Sequence, residues 1–291
     1  MERKGPTIRM PPYVMDQRKQ AALSKLKNVR YVLAITSGKG GVGKSFIASN
    51  LALTMKVLGY EVGLIDIDFH GPSAPKMLGI RGQRLIALSE GIQPAQGPLG
   101  LKVMSLDFLL EDDDTPVIWR GPIKTTAIFQ FITDVSWGKL DFLIIDMPPG
   151  TGDEAITVAQ EIPKIDGVVF VTIPSEVSVL VVGRSIMFYK RLGKRPIGII
   201  ENMSSFYCPD SGKTYKVFGK GSGKTLSEKY GIPLLAEIPL DPRIGEANDE
   251  GRPYVLTYPE SPVTKSFIEA SKKIVEILES LKSEDTEGNT N

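Results

Sequence analysis

Seven short apolar runs punctuate the chain, at 31–36, 62–67, 101–106, 142–146, 168–173, 197–202 and 235–238. They lack the polar alternation of half-buried strands, so they read as strands covered on both faces. Amphipathic stretches separate most of them: 45–58 follows the first run, 123–137 precedes the fourth, and 177–192 joins the fifth to the sixth. This alternation predicts an α/β fold, a doubly wound and mostly parallel sheet flanked by helices with right-handed crossovers. Ligands of such sheets sit at the carboxyl ends of the strands. A last helix is announced by Ser261 as N-cap and Pro262 at the first position. Its stripe, Val263, Phe267, Ala270, Ile274, Leu278 and Leu281, faces a mixed set of Glu269, Lys272, Lys273 and Glu276. Such a helix is expected to dock on the sheet rather than lie on a membrane.

With 291 residues and 42% hydrophobic content, the chain is large enough for a substantial core. The expected organisation is a polar N-terminal arm at 1–28 with a short helix at 16–27, one domain at 29–282, and a disordered tail at 283–291. The arm lacks the apolar segment of a signal peptide, and no run approaches the roughly 18 apolar residues of a membrane span. Lys and Arg number 35 against 34 Asp and Glu, a net charge of +1 that gives no global reason to bind nucleic acid or an anionic membrane. One cysteine, Cys208, and one histidine, His70, exclude an intrachain disulfide and any all-cysteine or multi-histidine metal site within one chain. The scarce thiol and the missing membrane and export signals make the cytoplasm the expected compartment.

The chemistry concentrates after the first predicted strand, where Gly38-Lys39-Gly40-Gly41-Val42-Gly43-Lys44-Ser45 opens a helix. This is the P-loop pattern in its proper context: glycines let successive N–H groups curl around phosphate oxygens, and the helix N-terminus adds positive charge. Lys44 is expected to reach the β and γ phosphates and the Ser45 hydroxyl to coordinate magnesium. Two strands end in carboxylates. Run 142–146 closes on Asp146, as a magnesium-holding aspartate does, and Gly150 in the loop beyond could present its N–H to a γ phosphate. Run 62–67 carries Asp66 and then Asp68, spaced to face the same side, one cation or one attacking water. A second cluster, Gly219-Lys220-Gly221-Ser222-Gly223-Lys224-Thr225, begins one position late, because residue 218 is Phe, and follows no apolar strand. It reads as a flexible loop before a helix near 226–230.

The extra lysine, Lys39, makes the loop resemble the deviant P-loop of the SIMIBI class, which includes nitrogenase iron protein and the cell-division and plasmid-partition ATPases. Five further segments narrow the likeness: Asp66-Ile67-Asp68-Phe69-His70-Gly71-Pro72-Ser73, Trp119-Arg120-Gly121-Pro122, Ile145-Asp146-Met147-Pro148-Pro149-Gly150-Thr151-Gly152-Asp153, Glu201-Asn202-Met203-Ser204 and Ile238-Pro239-Leu240-Asp241-Pro242. Together they resemble the Mrp family of ATP-binding iron–sulfur cluster carriers. The resemblance implies a nitrogenase iron protein-like P-loop NTPase acting as a homodimer, with ATP and Mg2+ as cofactors and apo iron–sulfur proteins as clients. It also implies that Lys39 reaches the partner's phosphates, that Asp68 orients or activates water, and that Asp66 and Asp146 support the metal. By the same resemblance Asn202 reads the adenine edge, although a turn role fits it equally. His70 is assigned a structural role; Trp119 and Arg120 serve dimer packing, a phosphate contact or a loop anchor.

Cluster-bearing members of that family carry a Cys-x-x-Cys after the Asn-Met-Ser segment, so that four thiolates of a dimer bridge one labile cluster. Here the pair reads Cys208-Pro209-Asp210-Ser211. Two thiolates per dimer fall short of the four ligands such clusters normally take, and a serine hydroxyl is a poor substitute for thiolate. Two readings therefore stand: a carrier whose cluster is weakly held, and a nucleotide-switched interaction protein without a cluster.

Overall fold

The computed structural model describes residues 12–68, 71–109, 121–150, 152–208 and 210–288, of which 12–16, 121–125, 153 and 285–288 by their backbone alone. His70, Trp119, Arg120 and Thr151 lie outside the described residues, as do the first eleven and last three positions. The first half of the chain forms α1 (Pro12–Leu26), β1 (Val29–Ser37), α2 (Lys44–Val57), β2 (Val62–Asp66), α3 (Ala74–Met77), β3 (Ile86–Leu88), β4 (Gly91–Gln93), β5 (Ala95–Gln96), β6 (Lys102–Ser105), α4 (Gly121–Thr133) and β7 (Leu140–Asp146). The second half forms α5 (Asp153–Glu161), β8 (Gly167–Thr172), α6 (Glu176–Arg191), β9 (Pro196–Cys208), β10 (Lys213–Tyr215), α7 (Ser222–Tyr230), β11 (Leu234–Leu240), α8 (Arg243–Asp249), α9 (Tyr254–Thr257) and α10 (Pro262–Gly288).

All seven apolar runs are strands of one sheet. Its parallel body runs β11, β9, β8, β1, β7, β2, β6, and short antiparallel strands attach near its two ends, β10 to β9 and β5 to β6. The pleat sends alternate residues to two core layers. Tyr31, Leu33 and Ile35 join Phe46 and Leu51 of α2 and Phe267 and Ile274 of α10, while Val32 and Ala34 join Ile128 and Phe131 of α4 and Val182 and Ile186 of α6. Chain order reverses direction across the sheet at β1, which puts the crevice beyond Ser37 where a ligand of this architecture binds.

The structure departs from the sequence reading at three boundaries. Helix α1 is no detached arm: Ala22 and Leu26 are buried in the core layer beneath α4, and Lys19 bonds the Gln160 carbonyl. Helix α10 begins as read, with the Thr264 N–H donating to Ser261 Oγ at 3.1 Å, but it continues to Gly288 rather than ending at 282. No proline interrupts 283–288, so nothing local stops the helix before the glycine. Residues 222–225, read as loop, are the first turn of α7.

Candidate functional site

Beyond Ser37 the chain turns through the glycine segment and enters α2 at Lys44. Gly43 adopts φ 80° as the residue preceding the helix, a conformation costly for any side chain. A Cβ there would also lie 2.4 Å from Asn202 Nδ2, whose amide donates to the Val42 carbonyl at 2.9 Å. At the other end of the loop, a Cβ on Gly38 would sit 2.6 Å from the backbone of Val181 and Val182 in α6. The loop is thus clamped between α6 and the middle of β9, and Ser37 Oγ braces it from inside by donating to the Lys39 carbonyl at 2.9 Å. A cleft of about 240 Å³ opens over it, lined by residues 39–46 with Asp68, Ser73 and Pro149.

The carboxylates converge on Lys44. Asp66 and Asp146 are register partners on adjacent parallel strands and both are fully buried. Lys44 Nζ lies 2.6 Å from Asp146 Oδ1 and 3.7 Å from Asp68 Oδ2. Burial alone would depress the Lys44 ammonium, but Asp146, then Asp68 and Asp66, outweigh it and hold its pKa above the ordinary lysine value. Burial, reinforced by the charge of Asp146, pushes Asp66 up to about 7 against the pull of Lys44. Burial likewise raises Asp146, although Lys44 and the Ser45 hydroxyl both favour its charged form.

The two expected metal carboxylates divide the work. Both Asp66 oxygens are occupied by protein: Oδ1 accepts the Asp68 N–H at 3.2 Å, and Oδ2 accepts the Ala74 N–H at 3.1 Å and the Ser105 hydroxyl at 3.3 Å. Asp66 is therefore tied to the backbone of the segment that carries Asp68. Asp146 Oδ2, in contrast, is buried with no hydrogen-bond partner. A buried carboxylate oxygen lacking a donor, beside a serine hydroxyl, fits the hard oxygen donor set that Mg2+ requires. Ser37 and Ser105 went unread because strand-end serines carry no distinguishing pattern.

One further expectation changes. Gly150 does not offer its N–H to the cleft; it donates to the Ser37 carbonyl at 2.9 Å. Asn202 grips the loop. The second glycine–lysine cluster is no phosphate site, because the Gly223 N–H near the start of α7 is taken by Glu201 Oε2 at 2.5 Å. Lys39 stands partly exposed on the rim of the cleft.

Cys208 closes β9 opposite Lys213, at the start of the β9–β10 hairpin. Hydrogen bonds from the Ser211 hydroxyl and N–H, with a smaller one from the Asp210 N–H, hold its thiol below the usual cysteine value. Among the described residues no group of three or more His, Cys, Asp and Glu side chains is arranged to hold a metal, and no helix is long and apolar enough to cross a membrane.

Residues 28–275 match the model of the ParA family described as NUBPL iron-transfer P-loop NTPase. The iron–sulfur cluster carrier protein of Saccharolobus solfataricus is 56% identical over 256 residues, 88% of this chain and 86% of that one. The chicken cytosolic Fe–S cluster assembly factor NUBP2 is 40% identical over 260 residues, 88% and 96% of the two chains. A nucleotide-binding protein of Archaeoglobus fulgidus, solved with ADP, superposes with a TM-score of 0.72 at 37% identity, over 80% of this chain and 91% of that one. With its glycine loop opening α2 beyond the first strand of a mostly parallel sheet, the chain belongs to the Mrp/NUBP family of iron-transfer P-loop NTPases.

Proposed function

We propose that the chain is a homodimeric, ATP-hydrolysing carrier that binds or transfers iron–sulfur clusters to apo client proteins in the cytoplasm. The observation that carries the enzymatic part is the Lys44–Asp146 pair, 2.6 Å apart under the glycine loop, with Asp68 beside it. The names of the relatives support the cargo and the compartment.

On this reading the Lys44 ammonium exchanges its carboxylate partners for the β and γ phosphates, and Asp146 is released toward the cation that it would hold with Ser45. Magnesium held there would supply positive charge to offset that of the phosphates. Asp68, positioned through its own N–H by Asp66, orients the attacking water. Asn202 keeps the loop in its phosphate-binding curl and borders the base. Lys39 reaches the phosphates of the second subunit. The cluster is cargo on the Cys208 hairpin, shared between two subunits.

Lys44→Ala should abolish nucleotide binding. Asp68→Ala and Lys39→Ala should retain it while turnover falls by about a hundredfold or more, the usual size of a lost general base or a lost trans cation. Phosphate release and nucleotide affinity, measured in parallel, decide the matter; wild-type turnover in Asp68→Ala removes the assigned mechanism. The nucleotide-switched interaction protein is favoured by one residue, Ser211 in the second thiol position, and it predicts full biological activity in Cys208→Ala.

A further inference from the structure

Three register partners form a row across the carboxyl ends of adjacent strands: Asp146 on β7, Asp66 on β2 and Ser105 on β6. All three are fully buried. Val103 and Met104, which precede Ser105 in its strand, are buried and apolar, and another apolar residue would suit the same surroundings. A hydroxyl enters the core instead. Such a group is tolerated where it has a partner.

That partner is the Asp66 carboxylate. Ser105 Oγ accepts the Asp107 N–H at 3.2 Å, which leaves its proton to point at Asp66 Oδ2, 3.3 Å away. Asp66 in turn holds both ends of the segment beyond its strand: Oδ1 accepts the Asp68 N–H at 3.2 Å and Oδ2 the Ala74 N–H at 3.1 Å. Asp68, Gly71, Ser73 and Met77 line the cleft over the glycine loop, so this one carboxylate fastens a wall of it. A second tie leaves the same turn after β6, where Asp107 Oδ1 lies 3.4 Å from Arg81 Nε, beyond α3.

The torsion that turns an aspartate's carboxylate plane is soft, so its orientation is set by the donors around it. Two of the donors to Asp66 are amides of the segment it holds, and they move with that segment. Ser105 instead belongs to a strand paired with β2, and it ties the carboxylate to the sheet. Without the hydroxyl, Oδ2 would keep the Ala74 amide alone in a place closed to water. We propose that Ser105 is a positioning residue for ATP hydrolysis, orienting the Asp66 carboxylate so that it holds Asp68 against the cleft. The inference rests on the reading of Asp68 as the group that orients the attacking water. Small displacements matter there, since a misplacement of about 1 Å can cost about a hundredfold in rate.

Phosphate release, ADP affinity and amide hydrogen exchange of the full chain, each measured for the wild type and Ser105→Ala, test this. The variant should lose roughly tenfold in kcat. Its ADP affinity should be unchanged, because Lys44 and the glycine loop are untouched, and exchange at the Asp68 and Ala74 amides should quicken. Introduced into Asp68→Ala, the same substitution should cost no further rate, since the group it serves is gone; general loosening of the cleft would lower both backgrounds alike. Wild-type kcat in Ser105→Ala beside a slow Asp68→Ala overturns the proposal, and so do equal losses in the two backgrounds. The two readings fail separately. Wild-type turnover in Asp68→Ala removes the role of Asp68 and this proposal with it, whereas unchanged exchange at both amides removes the hold of Ser105 alone.

Discussion

At the scale of single residues, the site is a balance of one cation against three carboxylates in a space largely closed to water. Asp66 and Asp146 face each other across two strands, and only Lys44 lies between them and the cost of burying like charges. The consequence is a proton held in the nucleotide-free protein. The ordinary carboxylate value is near 3.8 and that of folded Asp66 is about 7, so the native state binds more protons than the unfolded state between them. Stability from this group is full below about pH 4 and is lost as pH rises through 7, on the order of a few kcal/mol. Urea unfolding at pH 5 and pH 7.5 should therefore show a less stable apo protein at the higher pH. Saturating Mg2+ and nucleotide should flatten the dependence, because a bound cation favours both carboxylates ionised. A flat or rising profile without ligand would remove Asp66 as the proton holder.

At the scale of elements, the glycine loop owes its shape to neighbours remote in sequence. Val181 of α6 presses on one end and Asn202 of β9 holds the other. Gly38→Ala should drive the loop off α6, since the colliding atoms are backbone and cannot rotate aside. We expect a loss of about 1–3 kcal/mol in stability, the usual cost of overpacking, together with at least tenfold weaker nucleotide binding. Thermal unfolding with and without ADP measures both, and wild-type affinity in this variant would show that the clamp is dispensable. The strands and long helices were legible because apolar runs and 3.6-residue stripes are local properties of the chain. The extension of α10 and the early start of α7 were not, because charged and glycine-rich segments are equally compatible with coil.

At the scale of the whole molecule, the lone thiol of Cys208 ends β9 on the hairpin that β9 forms with β10. The cargo question is decided on that hairpin. After anaerobic reconstitution with iron and sulfide, Cys208→Ala should retain no iron above background, while Ser211→Cys, which restores the paired thiol, should raise iron per dimer and slow its loss to a chelator. Equal iron in Cys208→Ala and wild type would rule out this thiol as a ligand.

The amino-acid sequence by itself determined the class of fold and the glycine loop with its lysine and serine, since both are written in adjacent residues, and it pointed to carboxylates at two strand ends. Tertiary structure decided how those residues share their tasks. Asp66 turns inward to bind amides while Asp146 keeps an oxygen without a donor, Gly150 gives its N–H to Ser37, and Asn202 braces the loop. It also set Ser105 of β6 against Asp66 of β2, a pairing that no local pattern announces, because the two residues lie 39 positions apart in the chain. Hydrogen-bond partnership and burial depend on which strands lie side by side, and that order is a property of the packed sheet.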